Sequence, residues 1–271
     1  MGYEMSVIVH GLTPCPVAAI HGGPGAPGSA CHLAELIHAE LGIAVLEPYQ
    51  SATDIAGLTA ELDSQLRMHC ALPAVLIGHS WGAWLAALYA ERHPENVRQL
   101  ILVGSGPLSA DYVPELERRR EARLSPEERR RFHALLEKLE RSGGGADQDA
   151  LLKELGALCH QADFYAPLAL PAAPHTPAPD GAAYEAIWRE AAGLRRSGAL
   201  LEVFRRLAIT PVFIHGDSDP HPPEGIRAVL EASGIAFGFH LLKRCGHEPW
   251  AERYARAEFA RLLKTLILPT P

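Results

Sequence analysis

The sequence predicts an α/β fold: a mostly parallel, twisted sheet flanked by helices and interrupted by a long helical insertion. Three observations predict it. Short Val/Ile/Leu-rich runs alternate with amphipathic segments, the signature of βαβ units. A Ser between two glycines, Gly78-His79-Ser80-Trp81-Gly82, joins the apolar run Ala74–Ile77 to a helix-forming stretch. The alternation stops after Gly104-Ser105-Gly106-Pro107 and resumes only near residue 208.

Strands are expected at Ser6–Val9, Val17–Ile20, Ala44–Glu47, Ala74–Ile77, Leu100–Val103, Thr210–Ile214 and Phe237–Leu242. Their near-continuous apolar character suits burial on both faces. Helices are expected at Ala30–Leu41, Asp54–Cys70, Trp81–Arg92, Pro223–Glu231 and Tyr254–Leu266. From about Ser109 to Leu207 the chain is charged and helical, with Pro/Gly-rich breaks. Ser125-Pro126-Glu127-Glu128 reads as a helix start, with a Ser cap, Pro in the first turn and acids near the positive end. Ser142-Gly143-Gly144-Gly145 reads as the end of that helix and as a flexible point of a lid. Ala166–Gly181 is too rich in Pro for regular helix, and Ala182–Arg206 turns helical again. Residues 1–107 and 208–271 are therefore expected to form one core. Residues 108–207 are expected to form a helical cap over the C-terminal edge of the sheet, where open α/β folds bind ligands.

Composition narrows the function. At 271 residues, 48% hydrophobic and 21% charged, the chain fits one large domain with an insertion. A net charge of -7 argues against nucleic acid or anionic membrane as partner. Arg118–Arg120 and Arg129–Arg131 are interleaved with Glu117, Glu121, Glu127 and Glu128, so they read as a solvated helix face rather than an anion patch. The five cysteines are odd in number and scattered, with no C-x-x-C pair. Neither a disulfide framework nor a zinc spacing is suggested, and reduced thiols in the cytoplasm are expected. The N-terminal residues lack a basic, then apolar, targeting pattern, and no apolar run approaches the roughly 18 residues of a membrane span.

The Ser80 motif gains chemical meaning from its context. A Ser hydroxyl is a weak nucleophile near neutral pH; it needs a general base, an acid to orient that base, and N–H donors for the developing oxyanion. The sequence offers each, in the order Ser, Asp, His. The acid lies in His215-Gly216-Asp217-Ser218-Asp219-Pro220, after an apolar strand. Asp219, farther into the loop, is favoured; Asp217 is the competitor, and either residue also suits a plain turn. The base is expected to be His247, in Cys245-Gly246-His247-Glu248-Pro249 between the last strand and the last helix. His79, beside Ser80 on a tight turn, is expected to point away from it, and His215 and His221 to be structural or pocket-lining. The oxyanion donors are expected to be the N–H groups of Gly23, in His21-Gly22-Gly23-Pro24-Gly25, and of Trp81. That Gly-rich loop lacks the Lys-Ser/Thr of a phosphate-binding loop. Asp217, Asp219, His221 and His247 also form an acid–imidazole group, but its spacing matches no metal motif and gives Ser80 no role. No metal or cofactor is expected.

With these residues in view the chain resembles the α/β-hydrolase superfamily. His21-Gly22-Gly23-Pro24-Gly25 together with Gly-x-Ser80-Trp81-Gly82 is most similar to the proline iminopeptidase branch. The resemblance covers about residues 5–106 and 208–268. It implies a serine hydrolase with Ser80, Asp219 and His247 as its triad, acting on a small ester, amide or short peptide. Aminopeptidases of that branch hold a free amino group with acids, for which Glu185, Glu190 and Glu202 are the nominees here; Trp84, Trp188 and Trp250 are nominated to border the pocket. Two departures stand out: the short N-terminus leaves little room for two leading antiparallel strands, and the insertion carries no familiar motif. An Asp at the position of Ser80 would have pointed to an epoxide hydrolase or dehalogenase. Two further readings stay open: a non-hydrolytic binding protein on the same fold, and a carbon–carbon bond hydrolase or lyase using the same triad. Reactivity of Ser80 separates the first of these from a hydrolase.

Overall fold

The computed structural model describes residues 7–24, 28–141, 146–171 and 181–268. Seven strands form one sheet: β1 (Val7–His10), β2 (Cys15–Ile20), β3 (Val45–Pro48), β4 (Cys70–His79), β5 (Val97–Val103), β6 (Val212–Gly216) and β7 (Gly238–Leu242). Their order across the sheet is β1-β3-β2-β4-β5-β6-β7. Only β1 is antiparallel, pairing with β3 at the edge; all other pairs are parallel. One leading antiparallel strand is thus present.

Ten helices accompany the sheet among the described residues: α1 (Cys31–Leu41), α2 (Ile55–His69), α3 (Trp81–Arg92), α4 (Val113–Glu121), α5 (Pro126–Arg141), α6 (Ala146–Asp163), α7 (Gly181–Ser197), α8 (Ala199–Arg206), α9 (Glu224–Ala232) and α10 (Arg256–Ile267). Helices α4 to α8 lie between β5 and β6, where the sequence lost its alternation. Period-two alternation splits the core into two faces. Ala18, Ile20, Leu76, Leu100 and Leu102 point to one side, under α2, α3 and α8. Val17, Ala19, Val75, Ile77, Ile101 and Val103 point to the other, under α1 and α10. The buried strands therefore read as unbroken apolar runs. A small separate cluster, built on Leu124, Phe132, Leu135 and Leu158, joins α5 to α6.

Local chemistry sets the helix starts. The Asp54 carboxylate accepts from Gly57 N at 2.7 Å and caps α2. At α5, Ser125 Oγ accepts from Glu128 N while the Glu128 carboxylate accepts from Ser125 N at 2.8 Å, a reciprocal capping box. Several boundaries differ from the sequence expectation by a few residues, two of them for a clear physical reason. Strand β4 begins at Cys70, not Ala74, because the residue before Pro73 is forced extended and helix α2 stops at His69. The helix expected over Ala182–Arg206 is broken at Gly198, whose φ of 81° is a left-handed turn between α7 and α8. Ser6 and the Gly143–Gly145 point lie outside the described residues. Among the described residues no helix is long and apolar enough to cross a membrane.

Candidate active site

Ser80 sits at the tip of the turn between β4 and α3, with φ 54° and ψ −117°, a strained conformation for a residue with a side chain. Its neighbours must be glycines. A Cβ on Gly78 would lie 2.3 Å from the Gly82 carbonyl oxygen, and one on Gly82 would lie 2.4 Å from the carbonyl oxygens of Ile20 and His21. Ser80 N donates to Val103 O at 2.9 Å, which pins the turn to β5. The Ser80 hydroxyl makes no capping bond to α3 and stays free for other work. Beside it, the Trp81 N–H occupies the first position of α3, where backbone donors lack intrahelical partners.

The structure brings Asp219 and His247 together and leaves Asp217 apart. His247 Nδ1 lies 2.8 Å from Asp219 Oδ2 in a fully buried contact. A carboxylate only accepts, so the hydrogen is on Nδ1 and Nε2 is left as the basic nitrogen. The second Asp219 oxygen accepts from both the backbone N and Nδ1 of His221, each at 2.9 Å. His215 Nε2 donates to His221 O at 2.7 Å and stands 3.5 Å from Asp219 Oδ2. Asp217 instead accepts from Ser218 Oγ and Cys245 N and approaches Lys243 at 3.8 Å. Among the described residues one ligand atom each of Asp219, His221 and His247 lies within 4.8 Å of the others, with both Nδ1 atoms hydrogen-bonded to Asp219, while Asp217 is not part of that group.

Ser80, Trp81, Gly23, His221 and His247 border one cavity of about 760 Å³. Ser80 shares that wall with His247 without a hydrogen bond to it among the described residues, a common looseness before substrate arrives. The inserted helices supply the opposite wall, including Leu116, Phe132 and Trp188. Trp84 and Trp188 stack with 6.1 Å between ring centroids. Trp250 does not reach the cavity; it is buried against His79 and Phe259. Nor do the three nominated acids. Glu190 accepts from Ile55 N, and Glu185 and Glu202 pair with Arg189 and Arg205 on the outer faces of α7 and α8. Among the described residues the acids that border the cavity are Glu117, Glu121 and Asp163.

A model of the Alpha/beta hydrolase family matches residues 8–262, nearly the whole chain. The chain belongs to this family. A 1-acylglycerol-3-phosphate O-acyltransferase of Arabidopsis thaliana is 57% identical over 37 residues, covering 14% of this chain and 9% of that protein. The chain thus aligns with only a small part of the curated relatives it matches. Among solved structures, VinJ superposes with a TM-score of 0.65 at 18% identity, covering 96% of this chain and 93% of VinJ. An esterase from Exiguobacterium antarcticum gives 0.60 at 17% identity, covering 97% and 95%. At such identities the likeness is one of fold.

The electrostatics of this hydrolase-fold site follow from burial and, chiefly, from the Asp219 carboxylate. Burial alone would lower the His247 pKa, but the Asp219 charge and hydrogen bond outweigh it and raise it to about 9. Burial would raise Asp219, yet the facing imidazoles of His247, His221 and His215 hold it well below the usual carboxylate range. His221 is lowered to about 4 by burial and by its neighbour His247, against which its ring stacks at 4.3 Å. His79 is likewise pushed down by burial; as expected it points away from Ser80, donating to His247 O at 3.2 Å.

Several positioning residues escaped the sequence. Gln50 accepts from the Trp81 indole at 2.9 Å and donates to His21 O at 3.2 Å, linking the Gly23 loop to the start of α3. Glu252 is fully buried and its carboxylate accepts three backbone N–H groups, of Gly246 at 2.8 Å and of Tyr165 and Ala166 at 2.7 Å. It ties the His247 loop to the segment leaving α6. Asp163 O accepts His247 N at 2.8 Å, and the Asp163 carboxylate takes a two-pronged bond from Arg120 of α4. The only sequence signal was an acid five residues after His247.

Proposed function

We propose that the chain is a serine hydrolase that cleaves a small ester, amide or short-peptide substrate through an acyl-enzyme. Ser80 Oγ attacks the acyl carbonyl as His247 Nε2 takes its proton. Asp219 fixes the His247 tautomer and stabilises the imidazolium. The N–H groups of Gly23 and Trp81 receive the oxyanion. His247 then protonates the leaving group, and water, activated by the same base, releases the acid. Residues 108–207 act as a cap that walls the cavity and selects substrate, over a core of residues 1–107 and 208–271. The observation that carries this reading is the buried 2.8 Å Asp219–His247 bond opening on the cavity that the strained Ser80 turn borders.

The apolar cap wall suits a hydrophobic acyl or leaving group. A second reading, an aminopeptidase of the proline iminopeptidase type, is favoured by one feature: Glu117 and Glu121 reach the cavity, where an acid can hold a substrate amine. All five cysteines are free thiols, which suits a reducing cytoplasm.

The test is fluorophosphonate labelling with peptide mapping, followed by a panel of p-nitrophenyl esters and aminoacyl amides. Labelling confined to Ser80, with turnover lost in Ser80→Ala by about 10⁴-fold or more, is the expected result. Undiminished hydrolysis by folded Ser80→Ala overturns the mechanism. Turnover of aminoacyl amides alone selects the aminopeptidase reading over the esterase one.

A further inference from the structure

A second cluster of reactive side chains lies away from the cavity, at the β1 edge of the sheet. It is assembled from three elements. In the antiparallel β1–β3 register His10 faces Val45 and Ile8 faces Glu47, so His10 and Glu47 share one face as diagonal neighbours. Helix α1 covers that face and begins with Cys31. One ligand atom each of His10, Cys31 and Glu47 lie within 4.8 Å of one another. His10 Nε2 stands 3.3 Å from Glu47 Oε2.

Glu47 supplies an independent observation. Its side chain is wholly buried, one oxygen meets only His10, and the other, Oε1, has no hydrogen-bond partner. A buried carboxylate oxygen without a partner is costly and rare in folded proteins. Cys31 belongs also to a neighbouring trio with His32 and Glu35, and its sulfur lies 3.6 Å from Glu35 Oε1. His32 is already engaged by Glu35 Oε2 and Pro171 O, so the free capacity converges on Cys31 and Glu47.

We propose that His10, Cys31 and Glu47 bind a divalent transition-metal ion, with zinc the best match, and that Glu35 is within reach as a fourth ligand. An imidazole, a thiolate and a carboxylate are the donors zinc takes, and a borderline-soft set of this kind disfavours magnesium and calcium. Tetrahedral zinc with bonds of about 2.0–2.3 Å puts its ligand atoms about 3.3–3.8 Å apart. The His10–Glu47 separation meets that spacing, and Cys31, with its ligand atom within 4.8 Å of both, has to draw in to complete the site. With the three ligands the charge balances: thiolate plus Glu47 carboxylate offset a dication, with His10 neutral and the displaced thiol proton released to solvent, and Glu35 as a fourth ligand adds one negative charge. No sequence spacing marks the site, because its three ligands come from β1, α1 and β3. Its effect would be to clasp the antiparallel edge strand to the first helix.

The test uses the full chain after chelator treatment, titrated with Co²⁺ and then Zn²⁺. The expected result is one Co²⁺ per chain with a sulfur-to-cobalt charge-transfer band, displaced by Zn²⁺, and a higher Tm with either metal. His10→Asn and Glu47→Gln are expected to weaken binding at least tenfold, and Cys31→Ser to abolish the charge-transfer band, while esterase turnover per folded molecule is unchanged. The band in the native protein reads the thiolate directly, so the test stands even if a variant fails to fold. Absence of binding at up to a hundredfold metal excess overturns the proposal. So does binding without the band, or binding that His10→Asn and Glu47→Gln leave intact, as for an ion lodged on Asp219, His221 and His247.

Discussion

Helices α3 and α4 differ in nearly every respect. In α3 every residue from Trp81 to Ala90 is buried, because the sheet lies on one side and α2 and α8 on the other. In α4 no residue is buried, and its charges pair with each other: Glu115 accepts from both Arg118 and Arg119. The core helix is held by apolar area and fixes Ser80 rigidly at its start. The inserted helix is held by a few specific polar contacts, chiefly Arg120 to Asp163, whose backbone in turn anchors His247. Ser80, the proposed nucleophile, thus depends on packing, whereas His247, the proposed base, depends on polar clamps that a single substitution can undo.

The acid loop gives the sharpest test of that division of labour. Asp219→Asn keeps the shape but removes the charge that His247 and His221 share. Turnover is expected to fall by about 10³–10⁴-fold. Asp217→Asn, at a residue bonded to Ser218, to Cys245 N in the His247 loop and to Lys243 but not to His247, is expected to cost less than tenfold. A reversed order in steady-state kinetics would move the orienting role to Asp217.

The clamp itself comes next in size. Glu252→Gln replaces one carboxylate oxygen with an N–H₂ that must face a backbone N–H. With three backbone donors involved, the expected loss of stability is about 1–3 kcal/mol. If the clamp positions His247, kcat falls more than KM changes. An unaltered Tm and kcat would show that the His247 loop is held by the core alone.

Much of this was legible in the sequence, and the failures have a common cause. The strands and core helices were readable because burial on both faces writes an apolar run that needs no knowledge of neighbours. The loops carrying Ser80, Asp219 and His247 were readable because they follow strands at the same edge. Glu252, Gln50 and Asp163 were not, since their partners lie far away in sequence and no local pattern announces a clamp. Helix α7 shows the other limit. Gly181, Tyr184, Trp188 and Arg195 border the cavity at helical spacing, which turns Glu185 outward. The sequence holds that periodicity but does not say which face meets the core, so Glu185, Glu190 and Glu202 were nominated instead of Glu117 and Glu121.

Protonation offers a graded test. In the proposed mechanism hydrolysis needs neutral His247, whose pKa burial lowers but Asp219 raises to about 9. The acid limb of kcat/KM is therefore expected above the ordinary histidine value of about 6.5, with activity rising as pH rises. In Asp219→Asn the largest charge opposing burial is gone, with only Asp163 and Glu248 left to raise His247, and the limb is expected to move down. A native limb at or below 6.5 would mean that Asp219 does not hold the imidazolium. At His21 and His221 the pKa shift has the opposite sign and bears on stability. Burial lowers both to about 4 in the folded chain, so their contribution is present above the unfolded value near 6.5 and is lost as pH falls toward 4. The urea midpoint is expected to drop across that range.

The smallest expected effect lies on the outer face of α4. Arg118 is largely exposed and grips only Glu115, a residue that Arg119 also engages. Exposed pairs gain little, because water screens the charges and two long side chains must be ordered to meet. Arg118→Ala is therefore expected to leave Tm and turnover unchanged within error. Arg120→Ala, two positions on, leaves the Asp163 carboxylate without its two-pronged partner and is expected to lower both. Equal effects at the two positions, measured by thermal melts and ester hydrolysis side by side, would mean that α4 acts through its overall charge and not through the one contact that reaches His247.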